Sequence, residues 1–518
     1  MEAQTAAPVA RAATKDPPTW VKLLFPSSAV IVFFIVFGAF VLYAPSRLLA
    51  DPDAGWHIRN GQFILETKSI PRVDHFSWSM PGKPWYAWEW LYDALTGALT
   101  NLGGLTLFTI FNAAIIALTF AAFLRAMMRR SGDFVSSFAI WVLAAAAGSI
   151  HFLGRPHVVT MLFLYVLLEM IAAFERGEEK WLLYVAPLMF VLWANLHGGF
   201  VAALVVLAIV TIGTWWDRKP NAGKLAAITL GSAAVTLISP YGWNLHAHVF
   251  GYLGSDYLMR TIEEFAAPGF RGFQTISFGL LVLIAIAVLA KVRTRNTTDL
   301  LLVLFAIAIG LRAIRNIPLA CIVIGFVLAP YTLEFWREAA GGNSRGAALA
   351  RRIGEFSTST AAMDMKFSGV ALAAIGVVLA IVLGIAAERA FANPVPKQHW
   401  DESTLPVKAA DYLVEHDLQE KVFSSDHWGA YLIWRFHPGK VFVDDRHDFY
   451  GEAFVREILQ VTDLQPGWRN VLDKYGIERV LVPAKSTVAT ELAPEGWREI
   501  YRDQTSVIVQ RPSAPKQR

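Results

Sequence analysis

Residues 27–43, SSAVIVFFIVFGAFVLY, decide the fold class of this 518-residue chain. A helix that crosses the hydrocarbon core of a bilayer needs roughly 20 predominantly apolar residues, within a range of about 17–25. The stretch meets this requirement without a single charged side chain. It is also longer than the apolar part of a signal peptide, which spans about 7–15 residues. We therefore expect it to be a retained first membrane span.

Comparable apolar runs recur along the chain as far as residue 393. They centre near 105–124, 134–150, 158–174, 181–195, 199–216, 224–239, 275–290, 299–311, 317–333 and 368–387. With the first run they predict about eleven spans by the same length rule. Residues 27–393 are therefore expected to form a polytopic α-helical membrane domain, preceded by a cytoplasmic tail over residues 1–26. The segment 88–102 is amphipathic and fits an interfacial helix as well as a span.

The composition agrees with a membrane protein. Apolar side chains make up 55% of the chain, charged ones 17%, and the mean hydropathy is +0.42. A soluble globular chain has about 45–50% apolar and about 25% charged residues, so an ordinary cytosolic enzyme is excluded. The net charge of +4 is too small for this length to indicate nucleic-acid binding. The single cysteine, Cys321, excludes a disulfide framework.

The distribution of charge changes after residue 393. Of the 88 charged side chains, 35 fall in the last 125 residues, so residues 394–518 are predicted to be a soluble domain. Strands are expected at 421–425, 440–444 and 479–483, alternating with helices, with a closing hairpin at 497–502 and 506–510. This alternation predicts a small α/β domain.

Two polar segments of this domain, 424–429 and 444–448, follow predicted strands. Ligands in open α/β sheets bind at the carboxyl ends of strands. We therefore expect either a sugar or acceptor site that faces the membrane domain, or helix caps and surface ion pairs.

Lys and Arg residues indicate the orientation. With a cytoplasmic N-terminus, 19 of the 30 cations before residue 394 lie in cytoplasmic loops, which is the positive-inside bias. An odd number of spans then leaves the C-terminal domain outside the cytoplasm. Chemistry there lies across the membrane from the ATP pool and needs a donor that is already activated.

The first outer loop, residues 44–89, begins with two carboxylates, Asp51 and Asp53. Paired carboxylates serve as a general base or as ligands of a divalent cation. Alternatively, Asp53 caps the helix that begins after it. On that helix Asp53 and His57 would share a face, because they are four residues apart. A divalent cation is therefore a possible cofactor, and metal dependence stays open.

Further polar clusters stand at the outer ends of other spans. They contain Arg155 and His157, then Asn195 and His197, and finally Arg312 and Arg315. Ionisable groups near membrane depth are costly and usually line a cavity. Guanidinium groups bind phosphate oxygens in a bidentate fashion, so a cationic phosphate pocket is expected. Interfacial anchoring and packing are the alternative roles.

Several motifs together resemble a family of bacterial multispanning proteins that is similar to the GT-C superfamily of glycosyltransferases. The resemblance lies in the segments 51–61 (DPDAGWHIRNG), 88–91 (WEWL), 155–157 (RPH), 193–199 (WANLHGG) and 315–318 (RNIP). It implies a GT-C-like membrane domain and a polyprenyl-phosphate-linked sugar as donor. It also implies a location in the bacterial inner membrane, in the lipid bilayer, with a glycan, lipid or protein as acceptor.

The resemblance also suggests roles for individual residues. Such enzymes carry an acidic residue of the first outer loop beside the reacting centre, which points to Asp51 or Asp53 as the catalytic base. The candidate substrate-binding residues are His57, Arg59, Arg155, His157, His197, Arg312 and Arg315, and the three arginines from 155 onward are the candidate phosphate ligands.

Other functions remain open at this point. A transporter or flippase of a lipid-linked saccharide would share the polar cavity, but predicts inverted repeats and helices broken at mid-membrane. No convincing repeat is visible in the sequence. A non-catalytic scaffold for envelope assembly, or a ligase that joins a finished glycan to a lipid, would also place a polar domain outside.

Overall fold

The computed structural model describes residues 16–44, 46–178, 181–292, 296–390 and 400–512. Most of the predicted tail at 1–26 and the predicted domain boundary at 393 lie outside these ranges. The same holds for five of the cations that support the orientation, namely Arg11, Lys15, Lys180, Arg293 and Arg295.

The part up to residue 390 is predominantly helical. Its α-helices are α1 (Thr19–Leu24), α2 (Ser28–Gly38), α3 (Ala54–Thr67), α4 (Trp90–Ser131), α5 (Phe134–Gly148), α6 (His157–Glu175), α7 (Ala186–Leu196), α8 (Phe200–Trp216), α9 (Ala222–Val235), α10 (Trp243–Leu253), α11 (Asp256–Thr261), α12 (Phe273–Lys291), α13 (Thr297–Arg312), α14 (Ile317–Leu328), α15 (Thr332–Ala339), α16 (Arg345–Asp364) and α17 (Val370–Ala390).

Seven helical segments among the described residues are long and apolar enough to cross a membrane, and three shorter apolar helices, α7, α8 and α9, accompany them. Large apolar side chains on the outside of these helices, such as Leu230, Leu283 and Leu383, are more than 60% exposed. Such surfaces suit lipid rather than water. The protein is a multi-pass membrane protein, and the number of eleven spans stays a prediction.

Helix α4 is broken at Gly103 and Gly104, where the backbone leaves the helical conformation. Gly104 has φ +61°, a left-handed conformation that favours glycine. The segment before the break packs against α3, because Gly61 and Gly97 allow the two backbones to meet. A Cβ atom on Gly61 would lie 1.7 Å from the carbonyl oxygen of Asp93. This contact brings the side chains of α3 directly beside the start of α4.

The C-terminal part combines helices with one small sheet. It contains α18 (Val407–Glu415), β1 (Val422–Ser424), α19 (Asp426–Phe436), α20 (His447–Tyr450), α21 (Glu452–Thr462), α22 (Trp468–Lys474), β2 (Arg479–Pro483), α23 (Thr487–Leu492), β3 (Arg498–Arg502) and β4 (Ser506–Gln510). The strand order is β1-β2-β4-β3. β1 pairs with β2 in parallel, and the other two pairs are antiparallel.

The strand predicted at 440–444 is wrong as a member of this sheet. Val441 instead forms an isolated parallel bridge with Ser77 of the first outer loop. Its N–H donates to the Phe76 carbonyl and its carbonyl accepts from the Trp78 N–H, each at 3.0 Å. These backbone groups are hydrogen-bonded to the outer loop. The segment therefore does not depend on a neighbouring strand of the sheet for its hydrogen bonds.

The first outer loop and the C-terminal part share one hydrophobic core, which we call the outer core. It joins Trp56, Phe76 and Trp85 of the loop to the buried face of the C-terminal domain, separately from the core of the membrane helices. A buried ion pair of 2.9 Å between Arg446 and Asp74 connects the same two parts. The outer loop and the C-terminal domain therefore pack as a single layer on the membrane helices.

Candidate active site

A cavity of about 1260 Å³ lies between the ends of the membrane helices and the outer layer. The outer loop, the helix ends and the C-terminal domain all contribute side chains to its wall. Of the residues predicted from sequence, the wall contains Asp51, Asp53, Arg155, His157, His197, Arg312 and Arg315. Side chains that are far apart in the sequence, such as Asp51 and Arg315, thus meet in one space.

Arg155 binds three carboxylates in this wall. Its guanidinium nitrogens lie 3.0 Å from Asp51 Oδ2, 2.6 Å from Asp53 Oδ2 and 2.6 Å from Glu264 Oε1. Asp53 is the residue that precedes α3, as expected for a cap, but its side chain makes no capping hydrogen bond. The Asp53 carboxylate therefore pairs with Arg155 in the cavity wall and does not cap α3.

The two aspartates have different proton affinities. Burial raises the pKa of Asp51, and the nearby Arg155 only partly offsets this effect. Burial would also raise the pKa of Asp53, but the charge of Arg155 and a hydrogen bond from Asp445 outweigh it and lower the pKa to about 2. Asp51 is therefore the better proton acceptor of the two near neutral pH.

Arg315 and Arg312 carry the remaining positive charge of the helix ends. Arg315 Nη1 lies 3.9 Å from Glu264 Oε2, and its guanidinium lies 4.6 Å above the Phe265 ring. Arg312 is exposed to the cavity and has no ion-pair partner within the described ranges. These two guanidiniums are freer than Arg155 to bind an anion.

The residues present do not fit the divalent cation considered above. Across the described part of the chain, no group of three or more His, Cys, Asp or Glu side chains is arranged to hold a metal ion. The Arg155 guanidinium lies between the carboxylates that would supply such ligands. The positive charge at this point therefore comes from the chain itself.

Two histidines flank Glu89 at the start of α4. His57 Nε2 lies 3.8 Å from Glu89 Oε2, and His197 Nε2 lies 3.6 Å from Glu89 Oε1. On its other side His57 Nδ1 donates to Asp93 Oδ1 at 2.6 Å. Burial raises the pKa of Glu89 to about 7, although the neighbouring His57 opposes the shift.

Two of the predicted binding residues have other contacts. His157 lines the cavity, but its Nε2 is hydrogen-bonded to the His151 carbonyl at 2.6 Å. Arg59 does not line the cavity. Its guanidinium donates to the Trp434 carbonyl, at 2.7 Å from Nη2, because α3 turns this side chain towards α19. Arg59 thus connects the outer loop to the C-terminal domain and lies away from any substrate in the cavity.

The C-terminal domain contributes an acidic wall. Both polar segments noted in the sequence reach the cavity, through Asp426, Asp445 and His447 among others. His447 Nε2 and Asp426 Oδ2 are 2.7 Å apart. Burial raises the pKa of Asp445 well above its usual range, and the adjacent charge of Asp53 adds to this effect. Asp445 therefore holds a proton more tightly than an ordinary aspartate does, beside the negatively charged Asp53 of the outer loop.

Sequence reasoning missed Glu89 and Glu264 as site residues. Glu89 stands in the WEWL segment that carried the family resemblance, and Glu264 stands in an acidic pair outside the apolar runs. An acidic side chain in an apolar or short connecting segment was the only feature of the sequence that could have indicated these two residues. Their contacts with His57 and Arg155 depend on the folded structure.

Comparison with known proteins identifies a related fold. No protein-family model matches this chain, and no curated protein matches it. The structure resembles the archaeal oligosaccharyltransferase AglB from Archaeoglobus fulgidus, solved in complex with an inhibitory peptide and a dolichol-phosphate. The TM-score is 0.56 at 12% identity, covering 95% of this chain and 75% of that chain. The likeness supports the expected GT-C-like fold, whereas the bacterial assignment stays a prediction.

Proposed function

We propose that this protein is a membrane glycosyltransferase that moves a sugar from a polyprenyl-phosphate donor to an acceptor on the outer face of the membrane. The observation that carries the proposal is the cavity of about 1260 Å³, where guanidiniums and carboxylates meet at the ends of apolar helices. AglB, which has a similar fold, was solved with a dolichol-phosphate, a lipid of the same chemical class as the proposed carrier.

Arg312 and Arg315 are the proposed ligands of the donor phosphate. Transfer of the sugar leaves negative charge on the departing phosphate, and fixed guanidiniums in a partly buried site stabilise that charge. Arg315 is held in place by Phe265 and by a distant contact with Glu264, yet keeps most of its hydrogen-bonding capacity. Arg155, already bound to three carboxylates, orients the acidic cluster instead.

Asp51 is the proposed base. An acceptor hydroxyl must lose its proton as the new bond to the sugar forms, and a base is most effective when its pKa lies near the working pH. The raised pKa of Asp51 suits that task, whereas the pKa of about 2 at Asp53 does not. Asp53 is the proposed partner that keeps Arg155 and Asp445 in position.

The outer-face assignment rests on the distribution of cations. Phe108 of α4 belongs to the outer core, and Arg130 stands 22 residues further along the helix. At about 1.5 Å per residue, this separation is about 30 Å, close to the thickness of the hydrocarbon core. The cavity and the arginine-rich end of α4 would therefore lie on opposite sides. A reporter that is active only outside the cytoplasm, fused after residue 518, should be active.

The test is sugar transfer from a defined polyprenyl-phosphate sugar by purified protein in lipid vesicles. Asp51→Asn should slow transfer by about 10²–10⁴-fold, the usual cost of losing a general base, while expression and thermal stability stay near those of the wild type. Asp53→Asn should lose less activity, because its role is to position Arg155. The matched control is Glu66→Gln, an exposed carboxylate of α3 that does not line the cavity.

Each outcome has a clear meaning. If the wild type transfers no sugar from any such donor, the glycosyltransferase proposal is wrong. That result would favour a transporter or a scaffold. If Asp51→Asn and the control transfer sugar equally fast, the cavity has a different base.

A further inference from the structure

Glu89 occupies an unusual position in the cavity wall. It precedes α4 as the capping residue, but its side chain makes no capping hydrogen bond and turns into the cavity. Its ion-pair contacts within the described residues are to histidines alone, at 3.6 and 3.8 Å. These distances are longer than hydrogen bonds, so the carboxyl group is free to bond a ligand.

The histidines around Glu89 are fixed in known orientations. His57 Nδ1 donates to Asp93, which also accepts from Asn60 Nδ2 at 2.6 Å. His197 Nδ1 accepts from the Gly199 N–H at 3.1 Å, so the Nε2 of His197 carries the proton and faces Glu89 Oε1. Glu89 Oε1 thus has the His197 N–H beside it at 3.6 Å, and Oε2 faces His57 Nε2 at 3.8 Å.

Charges of both signs act on Glu89. His57, Arg155 and Arg315 lower its pKa, whereas the charge of Asp93 raises it. Burial is the largest effect, and the pKa of Glu89 therefore rises to about 7. Asp51 and Glu89 differ in surroundings, because Asp51 pairs with Arg155 at 3.0 Å whereas Glu89 lies between two imidazoles at 3.6 and 3.8 Å.

We propose that Glu89 is the general acid of this site and donates a proton to the departing phosphate of the donor lipid. The inference rests on the proposed glycosyltransferase function and adds a second catalytic residue to it. Arg315 and Glu89 line the wall of the same cavity, and the charge of Arg315 acts on the Glu89 carboxyl group. A phosphate held by Arg315 would therefore lie in the space into which Glu89 faces.

The step balances without a further reactant. The bond between the sugar carbon and the phosphate oxygen breaks while the acceptor oxygen bonds to the same carbon. The acceptor proton passes to Asp51, and the Glu89 proton passes to the phosphate oxygen. The lipid then leaves as polyprenyl monophosphate. A proton returns from Asp51 to Glu89 through water in the cavity. One proton has then moved from the acceptor to the phosphate.

The first measurement is binding of a short-chain polyprenyl phosphate methyl diester to the full protein in detergent. This probe keeps one negative charge across neutral pH, so any titration belongs to the protein. Wild-type affinity should fall about tenfold or more as the pH rises through 7, because the loss of one charge-assisted hydrogen bond weakens binding by about this factor. The bond is lost because Glu89 gives up the proton that it donates and becomes an anion. Glu89→Gln, whose amide donates without titrating, should bind with little pH dependence.

The second measurement is transfer. Glu89→Gln should lose about 10²–10⁴-fold in kcat with a polyprenyl-monophosphate sugar, and less with a polyprenyl-diphosphate sugar, whose better leaving group needs less protonation. A merely structural role would reduce both rates alike. Glu66→Gln serves as the control for binding and transfer.

The outcomes separate the two proposals. If the diester binds to neither protein at any pH, the proposed polyprenyl-phosphate function is wrong, and the role of Glu89 falls with it. If the diester binds with the same pH dependence to the wild type and to Glu89→Gln, the general-acid assignment alone is wrong. Equal losses with both donors would also overturn that assignment.

Discussion

Replacement of Arg155 by Met tests the acidic cluster most directly. Met keeps much of the side-chain volume but removes the charge that binds Asp51, Asp53 and Glu264 at distances of 2.6–3.0 Å. Breaking a buried ion pair by removing one partner typically costs about 3–5 kcal/mol, because a buried charge is left without compensation. With three carboxylates affected, we expect a loss of folding free energy at the upper end of that range at neutral pH.

The pH dependence of this loss has a definite sign. In the wild type the pKa of Asp53 is depressed to about 2, so its stabilising contribution is complete above the unfolded pKa of about 4 and disappears only as the pH falls through 2. Without Arg155, burial and mutual repulsion should raise the pKa values of the three carboxylates above their unfolded values. The variant should therefore be most destabilised at alkaline pH and recover as acid protonates the cluster.

Thermal unfolding of purified protein in detergent, followed at several pH values between mildly acidic and mildly alkaline, measures this effect. The apparent Tm of Arg155→Met should lie several degrees below that of the wild type at alkaline pH, with a smaller gap in acid. Arg312→Met is the matched control, since Arg312 is exposed and has no ion-pair partner in the described ranges. A gap that is independent of pH, or equal in both variants, would refute the reasoning.

Three further perturbations probe other contacts. Arg315→Lys should weaken binding of the polyprenyl phosphate diester about tenfold in a direct binding assay, because the planar fork is lost while the charge remains. Gly61→Ala should lower the apparent Tm, since its Cβ would lie 1.7 Å from the Asp93 carbonyl oxygen and overpacking costs about 1–3 kcal/mol; an unchanged Tm would contradict this packing. Arg446→Met should speed hydrogen exchange in the first outer loop, because Asp74 loses its buried partner at 2.9 Å; unchanged exchange would mean that the outer core alone holds the domain in place.

The membrane character of the chain was readable from the sequence because hydropathy is a local property. A run such as residues 27–43 must avoid water whatever its neighbours are, and the corresponding helices are present in the structure. The closing hairpin was predictable for a similar reason, since alternation and turn residues act over short distances. The predicted strand at 440–444 failed because its partner, Ser77, lies far away in the outer loop.

The sequence also identified seven of the polar residues that line the cavity, but not the different contacts that they make. Nothing local distinguishes Arg155, which binds three carboxylates, from Arg59, which binds a backbone carbonyl of another domain. The difference depends on which side of a helix meets which distant segment.

Only the tertiary structure decided the proton chemistry proposed here. Asp51, Glu89 and Asp445 are ordinary carboxylic acids in the sequence, and their proton affinities diverge because of burial and of neighbours from other parts of the chain. Electrostatic energy depends on distances in space and on the exclusion of water. Both quantities exist only after the outer loop, the helix ends and the C-terminal domain have packed around one cavity.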